Sequence, residues 1–131
     1  MVIETYRCVD VLWRYNMRQQ VKGNASVSNA DQNETLIAAP GSGQSLVITK
    51  VTGAITVAST GGAHKIALED GTGGTQFGVQ SSVLAGNFAL DFSEQDGGGY
   101  QLTENTLLNL TCEGSNAATA FVTALGYKKR V

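Results

Sequence analysis

The sequence predicts an all-β fold: an antiparallel β-sandwich of jelly-roll type, eight to ten strands, with an N-terminal arm or outer strand. Three observations predict it. Apolar and β-branched residues come in short runs, many of them alternating with polar ones. Clusters of Gly, Ser, Asp and Asn cut these runs apart at short intervals, most clearly between Leu36 and Phe92. Most connecting segments are too short to hold a crossover helix, so neighbouring strands are mainly antiparallel.

The elements follow in chain order. Val9, Val11, Trp13, Tyr15 and Met17 are apolar at every second position, with Asp10, Arg14, Asn16 and Arg18 between them and Leu12 as the exception. Val9, Trp13, Met17 and Val21 also fit a helical i,i+4 spacing. The period of two fits better, and aromatic and β-branched residues suit a pleated surface, so a strand is predicted over 9–18. Tyr6 and Cys8 alternate on the opposite parity, which places a bulge or break near Cys8–Val9. Residues 22–35 are polar and rich in turn formers. They predict a loop with one weak strand around Ala25–Ser28. Residues 1–34 therefore form an N-terminal arm or outer strand with its loop, and residues 35–131 the sandwich, within a single domain. The N-terminal segment is either an outer strand of its own sandwich or an arm on a neighbouring subunit.

Leu36 to Ala39 begins the sandwich, and Pro40-Gly41-Ser42-Gly43 turns the chain. Leu46 to Val51 and Ala54 to Ala58 follow as strands on either side of Gly53. Ser59 to Gly62 turns into a strand over His64–Glu69. Asp70-Gly71-Thr72-Gly73-Gly74 turns again into Thr75–Val79, and Asn87 to Phe92 closes the stretch. Ser93 to Gly99 reads as an exposed loop, and Tyr100 and Leu102 begin a return. Thr106 to Cys112 is a strand. In the last strand, Thr119–Tyr127, Phe121, Thr123, Leu125 and Tyr127 share one face, with Val122 and Ala124 on the other. Lys128 to Arg130 is expected to end the chain in solvent. This strand count is the one a two-sheet jelly roll needs.

Composition narrows the function. The 131 residues suffice for one domain with a substantial core. Charged residues are 15% of the chain, below the usual quarter or so, and there are 16 glycines; both fit a folded β protein. A net charge of −2 points to neither nucleic acid nor an anionic membrane as a partner. The basic residues cluster towards the two ends, at Arg7, Arg14, Arg18 and Lys22 and at Lys128, Lys129 and Arg130. No run has the length of a membrane-spanning helix, and charges interrupt any signal-peptide core near the N-terminus, so synthesis in a cytoplasm is expected. Cys8 and Cys112 are too few for a disulfide framework, and Cys112 alternates with Leu108 and Leu110 as a core residue would.

No constellation of catalytic residues stands out. The single histidine, His64, excludes a two-histidine metal site and reads as a strand-end residue. Gly41 to Ser45 lacks the Gly-Lys-Ser/Thr ending of a phosphate loop. Glu69 and Asp70, and Asp91, Glu94 and Asp96, offer oxygen ligands without the spacing of a calcium loop, and read as turn residues. The sequons at Asn24, Asn33 and Asn109 read as coincidences in a Ser/Thr-rich chain. Trp13, Tyr15, Phe77 and Tyr100 are scattered over different strands, which favours packing over a sugar platform. No enzyme activity, cofactor or metal is assigned.

Several stretches resemble small structural proteins of tailed phages. Thr35-Leu36-Ile37-Ala38-Ala39-Pro40-Gly41-Ser42-Gly43-Gln44-Ser45-Leu46-Val47-Ile48 resembles their opening "LVAAPGAGKxIxV", departing at Gln44, where that pattern is basic. Ile66 to Thr75 resembles their "xxLxDGTGGT" hairpin, Thr106 to Thr111 their "GExLNLTxS" strand, and Tyr127 their terminal tyrosine. The resemblance covers about residues 35–127 and leaves the N-terminal segment without a counterpart. It implies a jelly-roll domain acting as a homotrimer, as a capsid decoration or cement protein on the outside of a phage head. The implied partners are the major capsid protein and the chain itself, with no nucleic acid and no membrane. A tail, baseplate or head-fibre module binding host glycans is the alternative. A cellular trimeric ligand shares the architecture but would need a leader or anchor. Arg7, Arg14, Arg18 and Lys22 are the expected capsid contacts, and Phe121, Leu125 and Tyr127 the expected trimer contacts.

Overall fold

The computed structural model describes residues 19–28, 32–57, 64–83, 86–95, 97–113 and 118–131. The strand expected over 9–18 lies outside them. Nine strands are described: β1 (Gln20–Ser28), β2 (Gln32–Ile37), β3 (Gln44–Val57), β4 (His64–Asp70), β5 (Thr75–Val83), β6 (Gly86–Asp91), β7 (Tyr100–Gln101), β8 (Leu108–Glu113) and β9 (Ala118–Arg130). There is no helix among the described residues.

The strands form two antiparallel sheets. The first runs β1-β9-β3-β6, with β7 also paired to β3, and the second runs β2-β8-β4-β5. The pairs β1–β9, β2–β8, β3–β6 and β4–β5 are nested. The chain thus folds as one long antiparallel hairpin whose arms are rolled into two layers, which is the jelly roll. The expected fold class is observed.

The inner faces follow the alternation of the sequence. Val27, Leu46, Ile48, Val51, Ile55 and Val122 come from the first sheet, and Ile66, Leu68, Phe77, Leu108, Leu110 and Cys112 from the second. Each fully buried aliphatic side chain contributes about 1.5–3 kcal/mol by leaving water. At one end Phe77 stacks on Tyr100 with ring centroids 3.9 Å apart, and Phe92 meets Phe77 edge-on at 5.8 Å. In the β4–β5 turn, Gly71 and Gly73 have φ of 81° and 75°, a conformation glycine adopts without cost.

Two expectations about elements are corrected and a third is extended. Residues 22–35 are not mainly loop, since β1 covers Gln20–Ser28 and β2 begins at Gln32. Polar residues occupy these strands because each has an outward face, and β1 lies at a sheet edge. The strands expected on either side of Gly53 are one strand, β3. Gly53 pairs with Phe88 and Val122, and its missing side chain leaves room for the Phe88 ring, 2.4 Å from where a Cβ would stand. Lys129 and Arg130 are exposed, as expected, but Lys128 to Arg130 also belong to a strand. They extend β9 and pair with Leu46, Ser45 and Gln44.

Candidate interaction surface

The outer face of the first sheet gathers residues from four strands into rows. Register places Ser26, Phe121, Ala54 and Asn87 side by side across β1, β9, β3 and β6. The next row is Asn24, Thr123, Thr52 and Ala89, and the third is Lys22, Leu125, Lys50 and Asp91. Period-two alternation sends Ala120, Val122 and Ala124 of β9 into the core and leaves Phe121 and Leu125 outside. Phe121 is 57% exposed and Leu125 40%. Beside Phe121, between β1 and β9, lies a shallow depression of about 420 Å³ lined by Asn24, Ala25, Ser26, Phe121, Val122 and Thr123. The Thr123 hydroxyl donates to Asn24 Oδ1 at 2.6 Å, and the Thr49 hydroxyl to the Leu125 carbonyl at 3.1 Å.

Tyr127 follows the same outward parity but is 8% exposed. The Gly97–Gly99 segment covers it, and its hydroxyl donates to the Gly97 carbonyl at 2.7 Å. Of the three residues expected at a contact between copies, the structure presents Phe121 and Leu125 and covers Tyr127 with its own chain. Lys22 is exposed, and register sets it opposite Leu125. One residue expected to meet a capsid therefore shares a face with two expected to meet another copy. Arg7, Arg14 and Arg18 lie outside the described residues. Lys50 and Ser26 were not singled out by the sequence, and Asn24 only as a sequon, because only register brings them beside β9.

The other polar candidates have structural partners. Glu69 is 5% exposed on the second sheet and accepts from Asn109 Nδ2 at 2.7 Å, from the Gly73 amide at 3.2 Å and from Gln76 Nε2 at 3.4 Å. Asn109 Nδ2 also donates to Asn33 Oδ1 at 3.1 Å. Asn109 is 1% exposed, so its sequon offers no reachable amide. Asp70 turns away from Glu69 and accepts from the Thr103 amide and hydroxyl. Asp91 accepts from the Ser93 hydroxyl and amide, and the carboxyl titrates below its ordinary value for that reason, with Lys50 assisting. Asp96 lies outside the described residues. No group of three or more His, Cys, Asp and Glu side chains suited to a metal ion occurs among the described residues.

The Pro40–Gly43 turn leads into β3, not into a helix, and the Gly41 amide donates to Asn105 Oδ1 at 3.0 Å. Asn105 has φ of 51° and its own amide donates to the Gln44 carbonyl, so it locks this turn. Its role was invisible in the sequence, because the contact spans 64 residues. His64 opens β4, as expected, opposite Val83. The sugar platform is not formed by Phe77 and Tyr100, since those rings stack on each other. Trp13 and Tyr15 lie outside the described residues, as does Cys8, while Cys112 is buried in the core.

No protein-family model matches the chain, and no curated protein sequence matches it. Among solved structures, the chain is similar to one from a study of Bacillus endospore appendages described as disulfide-linked pili. That match has a TM-score of 0.46 and 14% identity, over 85% of this chain and 89% of the other. A chain of the cyanophage Pam1 capsid asymmetric unit matches with a TM-score of 0.43 and 13% identity, over 84% and 85%. The SPBc2 prophage-derived protein YomS matches with a TM-score of 0.39 and 12% identity, over 80% and 95%. Likenesses this distant carry no weight on function.

Proposed function

We propose that the chain is a virion structural protein, a capsid decoration or cement protein that binds the outside of a tailed-phage head and stabilises the shell. The resemblance over residues 35–127 supports it, and its motifs coincide with structural junctions. The Pro-Gly motif is the turn between β2 and β3, and the Asp-Gly-Thr-Gly-Gly motif is the β4–β5 hairpin. The observation that carries the reading is the outer face of the first sheet, which holds Phe121 and Leu125 out to solvent beside Lys22 and Lys50. Apolar anchors within a polar, basic surround are what a protein–protein contact uses.

The mechanism is geometric. A bound domain adds an interface that exists only in the assembled shell, so it stabilises that shell by mass action. Several linked copies multiply the effect without new contacts. The basic N-terminal residues Arg7, Arg14 and Arg18, together with Lys22, serve as the shell contact in this reading.

The test is reconstitution. Purified chain is added to heads of the encoding phage that lack it, and co-sedimentation and the temperature of shell disruption are measured. Binding that saturates and raises that temperature is the expected result. No co-sedimentation at any concentration overturns the assignment.

A further inference from the structure

We infer that the outer face of the first sheet is a two-fold contact between copies of this chain, with Phe121 of each copy entering the depression beside Phe121 of the other. This goes beyond the virion reading and does not rest on it; because it uses the same face, pairing through Phe121 and a shell contact through Phe121 are alternatives for any one copy. The two-fold pairing differs from the threefold contact expected at Phe121, Leu125 and Tyr127; of these three, Tyr127 is covered by the chain's own Gly97–Gly99 segment.

The face carries both halves of a contact. Phe121 is a protruding aromatic, 57% exposed, flanked by the small residues Ser26 and Ala54. The depression lined by Asn24, Ser26 and Thr123 opens directly beside it. A surface with knob and hole side by side is complementary to itself under a two-fold rotation, which is the isologous arrangement of most dimers. The small side chains beside Phe121 and Thr123 in their rows, Ser26, Ala54, Thr52 and Ala89, let two sheet faces approach closely.

Charge agrees with this occupant. In the three rows the charged residues are Lys22, Lys50 and Asp91, and all three lie in the Leu125 row. Four residues along a strand separate that row from Phe121 by about 13 Å. A two-fold axis parallel to the rows and lying between the Phe121 and Thr123 rows, where the depression is, sends the two charged rows to opposite ends of the contact. No lysine of one copy meets a lysine of the other. Area sets the strength. Four strands and three rows span roughly 20 Å by 20 Å, about half of the 800 Å² per partner of a standard interface. The dimer is accordingly weak and dissociates on dilution.

The test uses the full chain alone under reducing conditions. Its mass is measured by sedimentation and light scattering from roughly 10 µM to 1 mM, a range that brackets a weak interface. One copy is 13.7 kDa. The expected result is a rise from that mass to twice it. Phe121→Asp removes the knob and Ser26→Arg fills the hole, and each should weaken pairing at least ~10-fold, as loss of an interface anchor does. Both sites are exposed, so circular dichroism and melting should show the wild-type fold. Mixing the two variants should restore part of the pairing, because the knob of one still fits the hole of the other. A single-copy mass at every concentration, a three-copy mass, or unchanged pairing in either variant overturns the proposal. The outcome with phage heads is separate: absence of shell binding removes the virion reading and leaves the pairing standing.

Discussion

At the scale of single residues, burial decides which polar groups matter. Glu69 and Asn109 are nearly inaccessible yet polar, and they stay so because each completes the other's hydrogen bonding. Glu69→Ala leaves the Asn109 amide short of an acceptor, and a buried orphan of this kind costs about 1–3 kcal/mol. A lower urea midpoint with unchanged slope would show it; an unchanged midpoint would refute the role assigned to the pair. Asp91 is the opposite case, a surface carboxylate whose pKa is lowered by the Ser93 hydroxyl first and the Ser93 amide second. A depressed folded pKa gives a contribution that is present above the ordinary value of 3.8 and is lost as pH falls below it through the folded value. In Ser93→Ala the hydroxyl is gone, so NMR titration should find the Asp91 pKa moved back up towards that value. None of these pairings was visible in the sequence, where Asn109 looked like a sequon and Glu69 like a turn residue. Hydrogen-bond partners 40 residues apart leave no local pattern.

At the scale of elements, β1 shows how a sheet edge hides in a sequence. Its inward residues are Val21, Gly23, Ala25 and Val27, a small and weakly apolar set, and its outward residues are polar. The turn formers Gly23 and Asn24 suggested a loop, yet β9 recruits the segment along nine paired positions. Gly23 is required by packing, not by backbone conformation. A Cβ there would stand 1.8 Å from the Leu36 carbonyl oxygen, where β1 passes β2. Gly23→Ala must push backbone against backbone and should cost at least the ~1–3 kcal/mol typical of overpacking. Thermal melting measures it, and a Tm equal to wild type would show that β1 can shift away freely. By contrast β8, β9 and the β4–β5 hairpin were legible in advance, because alternation and Gly-rich turns are local properties.

At the scale of the whole molecule, the nested strand order closes the sandwich from described residues alone. The hydrophobic core draws on residues between Val21 and Ala124 and on both sheets. Removing residues 1–18 should therefore leave a chain that folds cooperatively with the β signature in circular dichroism. In the virion reading the same truncation abolishes head binding, and a truncated chain that still co-sediments with heads would move the shell contact off Arg7, Arg14 and Arg18. By itself the sequence determined the all-β class, the jelly roll, most of the inward-facing residues and the two Gly-rich turns. It could do so because period-two alternation and turn chemistry are written within a few neighbouring residues. Tertiary structure alone decided that Gln20–Ser28 and Gln32–Ile37 are strands of the sandwich, that Tyr127 is covered while Phe121 and Leu125 are not, and that Lys22 and Lys50 flank Leu125. The physical reason is register. Which residues share a row across four strands depends on pairings between segments up to about a hundred positions apart, such as Asn24 with Thr123, and no local pattern encodes them.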